Sequence, residues 1–194
     1  MARGNRRTAL FRSDEDYRVF IMQLVKIQKK YPFDLHAYCL MTNHFHLEIT
    51  TGDDPIWKIM KPLMQNYAMW FNQKYGYEGH VFDSRYTSCL IENDSYFLEV
   101  NRYIHLNPVK AQMVNEPVAY DYSSYKRYMS DEFEDNMVGI IDTRRVLSFF
   151  SHDPREQYRM FVEGRISHAD QERLIQMDMK EDDMWLPEER MKDE

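Results

Sequence analysis

Cysteine is almost absent, with Cys39 and Cys89 the only two among 194 residues. That scarcity excludes a disulfide framework and a cysteine-based zinc site. Both thiols lie in apolar, strand-like surroundings and are expected in the core. Long apolar runs are missing as well. No stretch of about 18 apolar residues exists, which excludes a membrane-spanning helix. The opening Met1-Ala2-Arg3-Gly4-Asn5-Arg6-Arg7 has no apolar segment behind its charges, so it is not a signal peptide, and a cytoplasmic location is expected. An excess of positive charge is lacking too. The net charge of −7 at first argues against a nucleic-acid partner, because phosphate binding needs clustered Lys and Arg.

The distribution of charge softens that objection. Residues 131–194 carry 18 acids against 9 bases, whereas the remaining 130 carry 14 against 16. The first thirty residues are the most basic, with Arg3, Arg6, Arg7, Arg12, Arg18, Lys26, Lys29 and Lys30 facing only Asp14, Glu15 and Asp16. A weakly basic body with an acidic tail can bind DNA locally. The hydrophobic fraction of 43% and aromatic fraction of 14% suffice for an aromatic-rich core. Two parts are expected: a domain over 1–130, then a helical extension with an acidic, partly disordered tail over 131–194.

Along the chain the periodicities change in order. Ser13 before Asp14, Glu15 and Asp16 reads as an N-cap, and Tyr17, Phe20, Ile21, Leu24 and Ile27 trace a helical stripe. Phe33, Leu35, Ala37, Cys39 and Met41 alternate with Asp34, His36, Tyr38 and Leu40, the pattern of a strand. Thr42-Asn43 turns into a second strand, His44 to Thr50. Residues 56–75 read as helical, although Pro62 suggests that the main helix starts only there. A strand of mixed character is expected over Val81 to Ile91. A helix capped by Asn93 or Asp94 then carries Tyr96, Val100, Tyr103 and Ile104, and Asn107-Pro108 should kink or end it. The order α, β, β, α, β, α with antiparallel strands and helices on one face is an α+β sandwich. Short helices are expected from Asp142 or Thr143 and from Pro154.

Two constellations carry chemistry. His44 and His46, one residue apart on a strand, present both imidazoles on one face, near enough to share a metal ion. Glu48 continues on that face and can add an oxygen. Tyr103 and Asn107, four apart on a helix, share a helical face. From the residues alone, the plainer reading makes Tyr103 an ordinary core aromatic and Asn107 a cap for the turn starting at Pro108.

His44-Phe45-His46, preceded by Tyr38-Cys39-Leu40-Met41-Thr42-Asn43, resembles the HUH motif of bacterial single-tyrosine transposases. Tyr103-Ile104-His105-Leu106-Asn107-Pro108-Val109-Lys110-Ala111 is similar to the tyrosine helix of the same family, in the branch of REP-associated tyrosine transposases. Arg3-Gly4-Asn5, Phe71-Asn72, Gly79-His80-Val81-Phe82 with Arg85-Tyr86, and Ser123-Ser124-Tyr125 also fit. The likeness covers about residues 3–130, and more loosely the helices up to Gly164. It implies a ferredoxin-like antiparallel sheet with helices packed on it, and a 5′-phosphotyrosine intermediate formed on single-stranded, hairpin-containing DNA. It assigns Tyr103 as nucleophile and His44, His46 and Asn107 as ligands of Mg²⁺ or Mn²⁺. Arg85 and Lys110 are then candidates for DNA contact.

Relatives carry a full strand ahead of the Arg-Gly-Asn segment. Here the chain begins at Met1, so only a stub of that strand is expected beside the histidine strand. Two further readings stand beside the transposase: a catalytically silent single-stranded nucleic-acid-binding relative, and an unrelated metal-dependent hydrolase using His44, His46 and Glu48.

Overall fold

The computed structural model describes residues 1–130 and 140–164. Along the chain run β1 (Ala2–Arg3), α1 (Asp14–Lys30), β2 (Phe33–Met41), β3 (His44–Thr51), α2 (Ile56–Tyr75), α3 (Asp94–Lys110), α4 (Tyr125–Met129), α5 (Arg144–Leu147) and α6 (Pro154–Glu163). The strands form one antiparallel sheet in the order β1-β3-β2, the α+β architecture expected. The stub is present too: Ala2 pairs with Phe45 and Arg3 with His44. Met1–Glu163 form one compact unit, and α6, beyond residue 130, packs on α3 and α4. The acidic tail lies outside the described residues.

Helix α1 starts where the acids follow Ser13. The Ser13 backbone N–H and hydroxyl both donate to the Asp16 carboxylate, at 3.0 and 2.9 Å, so that carboxylate closes the helix start. Helix α2 begins at Ile56, not at Pro62. Pro62 removes one intrahelical hydrogen bond, but Ile59 and Met60 are 0% and 3% exposed and anchor the first turns in the core. Helix α3 likewise runs through Pro108 to Lys110 without ending at Asn107. Pro108 lies in the last turn, and the Ala111 N–H still reaches the Asn107 carbonyl at 2.9 Å.

Side chains of β3 alternate between two helical layers. Phe45 meets Phe20 of α1, ring centroids 4.6 Å apart, while His46 and Glu48 meet residues of α3. The helices therefore cover both faces, where one was expected. Strand β2 departs from its expected alternation because a bulge falls between Leu35 and Ala37. An extra residue reverses which side chains point inward. Beyond it Tyr38 and Leu40 join Leu35 in the main core, and Cys39 and Met41 pair with His46 and His44 on the α3 side.

The expected strand over Val81 to Ile91 is not formed; only a bridge joins Phe82 to Gly4. Residues 81–87 nevertheless run beside β1. Asn5 N–H bonds to the Val81 carbonyl, Asp83 N–H to Arg3 and Thr87 N–H to Met1, at 2.8, 3.0 and 2.9 Å. A two-residue β1 is too short a template for a regular ladder. Cys39 is buried as expected, but Cys89, beyond this segment, is exposed.

The far edge of β2 is closed by residues 120–124 and by the segment at 141–142. Leu40 N–H bonds to the Tyr122 carbonyl, Ser124 N–H to Tyr38 and Asp142 N–H to Leu35, at 2.9, 3.0 and 2.8 Å. The hydroxyls of Tyr120 and Tyr128 donate to the carbonyls of Leu40 and His36 at 2.7 and 2.6 Å. No helix among the described residues is long and apolar enough to cross a membrane.

Candidate active site

Strand period places His44 and His46 together on the α3 side of β3, with ring centroids 5.0 Å apart and planes at 86°. The next ring is Tyr103 of α3, whose centroid lies 5.7 Å from that of His46. Tyr103 is 3% exposed, and the Lys110 ammonium stands 4.4 Å above its ring. One turn along, the Asn107 side-chain N–H donates to the Tyr103 carbonyl at 2.9 Å. That bond uses the amide nitrogen and leaves the amide oxygen as the atom suited to a cation.

Electrostatics keep the two imidazoles neutral. The pKa of His44 is pushed down to about 4, by burial first and then by the positive charge of Arg3. His46 is pushed well below its usual value by burial, with His44 adding to the effect. A neutral imidazole has one nitrogen lone pair to offer, which is the form that binds metal.

For His44 the free nitrogen is also defined. Its Nδ1 lies 2.7 Å from Asn43 Oδ1, and a carbonyl oxygen only accepts, so Nδ1 carries the proton and Nε2 the lone pair. The Asn43 amide is itself held by a 3.2 Å bond from Nδ2 to the Arg7 carbonyl. A ligand histidine typically donates its other ring N–H in this manner. Two neutral imidazoles and an amide oxygen are donor types that could hold a divalent cation, and by themselves they do not select one metal.

Glu48 turns elsewhere. It shares the face of His44 and His46, but its Oε2 accepts from Asn101 Nδ2 at 2.6 Å. No group of three His, Cys, Asp or Glu side chains among the described residues is placed to hold a metal. That removes the ligand set of the hydrolase reading. Arg85 is exposed on the segment beside β1, whereas Lys110 lies on the tyrosine itself. Two contributors escaped the sequence reading, Arg3 and Asn43. The pairing of a two-residue β1 with β3 brings Arg3 beside His44. Asn43 had a local signal, since it precedes His44 in the turn.

Comparison with known proteins supplies the family. A family model described as IS200-like transposase matches residues 1–107, more than half of the chain. That span contains β1, β2, β3, α1, α2 and α3 as far as Asn107. A REP-associated tyrosine transposase of Escherichia coli is 22% identical over 125 residues, 63% of this chain and 72% of the relative. A solved REP-associated tyrosine transposase bound to a REP hairpin shares the fold with a TM-score of 0.56 at 19% identity, covering 74% of this chain and 88% of that one. His44, His46, Tyr103 and Asn107 all lie inside the matched span, and the chain belongs to the IS200-like transposase family.

Proposed function

We propose that this chain cuts and rejoins single-stranded DNA, with Tyr103 as the nucleophile. The observation that carries the reading is the run of rings His44, His46 and Tyr103 at 5.0 and 5.7 Å. It sets a phenol ring beside His46, one of two neutral imidazoles on β3. The phenol oxygen of Tyr103 attacks a backbone phosphorus, forming an O–P bond as the bond to the 3′ oxygen breaks. The 3′ oxygen leaves as a hydroxyl after taking a proton, and a 5′-phosphotyrosine remains. Because one phosphoester replaces another, a 3′-OH can reverse the step without a nucleotide cofactor.

Tyrosine has a reference pKa of about 10 and attacks poorly at neutral pH unless assisted. The Lys110 ammonium above the ring favours the negative charge that develops on the phenol oxygen, and exposed Arg85 is available to a phosphate. A divalent ion held by His44, His46 and Asn107 would supply charge neutralisation at the scissile phosphate. Neutral His44, locked by Asn43, keeps its Nε2 lone pair for that role.

The test is incubation with a labelled single-stranded hairpin and Mn²⁺, followed by denaturing electrophoresis. A covalent protein–DNA band is expected, abolished by chelation and by Tyr103→Phe. Hairpin binding by Tyr103→Phe should persist, since phosphate and stacking contacts remain. An adduct that survives in Tyr103→Phe would assign the attack to another tyrosine. Binding with no covalent band in the unaltered chain would favour the catalytically silent relative.

A further inference from the structure

Helix α6 lies outside the span matched by the family model, yet one of its hydroxyls enters the hydrogen bonding of the tyrosine helix. Tyr158 is 0% exposed. Its hydroxyl lies 2.5 Å from Asn101 Oδ1 and 2.6 Å from His105 Nδ1, two α3 residues one turn apart. An amide oxygen only accepts, so the Tyr158 proton points to Asn101 and its oxygen receives the His105 Nδ1–H. His105 Nε2 must then accept, and the Ser124 hydroxyl 2.7 Å away supplies that proton. Ser124 Oγ in turn receives the Tyr38 backbone N–H at 2.9 Å. At the other end Asn101 Nδ2 donates to Glu48.

Donation therefore runs in one sense, Tyr38 to Ser124 to His105 to Tyr158 to Asn101 to Glu48. The run crosses from β2 to β3 by way of α3 and α6. Every member is buried, so a broken link leaves a polar group without solvent to replace its partner. Ring packing stiffens the junction: Tyr158 stacks on Tyr128 with centroids 4.5 Å apart. The Arg102 guanidinium stands 5.0 Å over Phe161, a second tie between α3 and α6.

We propose that Tyr158 is a positioning residue for Tyr103, its hydroxyl fixing the rotation of α3 and hence the aim of the phenol at the histidine pair. The inference rests on the reading of Tyr103 as nucleophile. At 3.6 residues per turn Tyr103 projects about 160° round the helix from both Asn101 and His105. A bolt on one flank sets the orientation of the other. A phenol oxygen stands about 8 Å from its helix axis, so a rotation of about 10° displaces it by about 1.4 Å. Misplacement by about 1 Å can slow a positioned reaction about a hundredfold. Loss of one hydroxyl loosens the bolt without removing the ring, and a fall of about tenfold is expected.

A control exists in the neighbouring helix α4. The Tyr125 hydroxyl donates to Glu163 Oε1 at 2.7 Å and also ties α6 down, but through Glu163 instead of Asn101 or His105. Unaltered, Tyr158→Phe and Tyr125→Phe chains are compared in single-turnover cleavage of a hairpin strand with Mn²⁺. Equilibrium binding to the same strand is measured in parallel, at a temperature where circular dichroism shows all three folded. Tyr158→Phe should cleave about tenfold more slowly with a dissociation constant unchanged within about twofold, while Tyr125→Phe cleaves at the unaltered rate. Equal slowing in both variants, no slowing in Tyr158→Phe, or a loss of binding that accounts for the slowing overturns the proposal. Absence of a covalent product in the unaltered chain overturns the Tyr103 reading itself and is seen before any variant is compared. If Tyr158→Phe does not fold, Asn101→Ser removes the acceptor of the same bridge and is read against Tyr125→Phe in the same way.

Discussion

Glu48 follows His46 by two residues on the strand, where a third ligand was conceivable, and the fold gives it a different chemistry. It is 1% exposed, and burial pushes its pKa up to about 8 despite the opposing hydrogen bond from Asn101. Its ordinary value is 4.5. Between those values the folded chain holds a proton that the unfolded chain has lost, so this contribution to stability is present at low pH and is lost as pH rises toward 8. Glu48→Gln keeps an oxygen for Asn101 and cannot ionise. In metal-free buffer it should be more stable than the unaltered protein at pH 8, by on the order of a few kcal/mol, and so melt higher there, but melt close to it at pH 5. Thermal melts that differ equally at both pH values would show that the Glu48 charge is not responsible. Buried histidines act in the opposite sense. The pKa values of His44 and His105 are pushed down to about 4 and about 3, chiefly by burial. Their contribution is full above the ordinary value of 6.5 and is lost as pH falls toward the folded values. The His44–His46 pair was legible from strand period and the Tyr103–Asn107 pair from helix period. The Glu48–Asn101 partnership, 53 residues apart in sequence, has no local signal.

Elements with a strong period and a cap were legible in the sequence: α1 from Ser13, both long strands, and α3 from Asn93. What escaped depends on neighbours. The bulge at Leu35/Ala37 reverses the expected facing of β2, and residues 81–87 make strand-like bonds to β1 without becoming a strand. Proline signals over-predicted breaks, because Pro62 and Pro108 each remove one bond while burial holds the surrounding turns. Gly4 shows how closely β1 is fitted. Its φ of −66° is open to any residue, but a Cβ there would meet the Thr8 carbonyl oxygen at 2.2 Å and Leu10 Cγ at 3.2 Å. Its N–H also holds the Asn43 carbonyl at 2.8 Å. Gly4→Ala must displace the following turn, and such overpacking costs about 1–3 kcal/mol. Urea unfolding should show a lower midpoint; an unchanged midpoint would mean that the turn yields freely.

At the scale of the molecule, α5 and α6 belong to the same unit as the sheet. Tyr158, Val162 and Val146 are each 0% exposed, and Asp142 bonds the β2 edge. A chain cut after Ser130 would expose Tyr128 and His105 and leave Asn101 short of a partner. It should lose the sharp thermal transition of the full chain and bind a hydrophobic dye. A transition as sharp as that of the full chain would show that residues 140–164 are accessory. Their role was hard to read from sequence because the short helices carry few periodic positions. The aromatic residues that matter, Tyr125, Tyr128 and Tyr158, signal their partners only once folded.

The saturated flank of β2 has a consequence for how copies of this chain can meet. A sheet ending in a row of open main-chain groups invites a second sheet to continue it, the usual route to strand exchange and fibrous aggregation. Here the carbonyls of Leu35, His36, Tyr38 and Leu40 and the amides of Tyr38 and Leu40 are already bonded within the chain, partly by tyrosine and serine hydroxyls. An incoming strand would have to strip away those hydroxyls before gaining one bond. Association on this side therefore has to be made by side chains of the covering segments, which leaves the sheet free to serve as a fixed bed for chemistry.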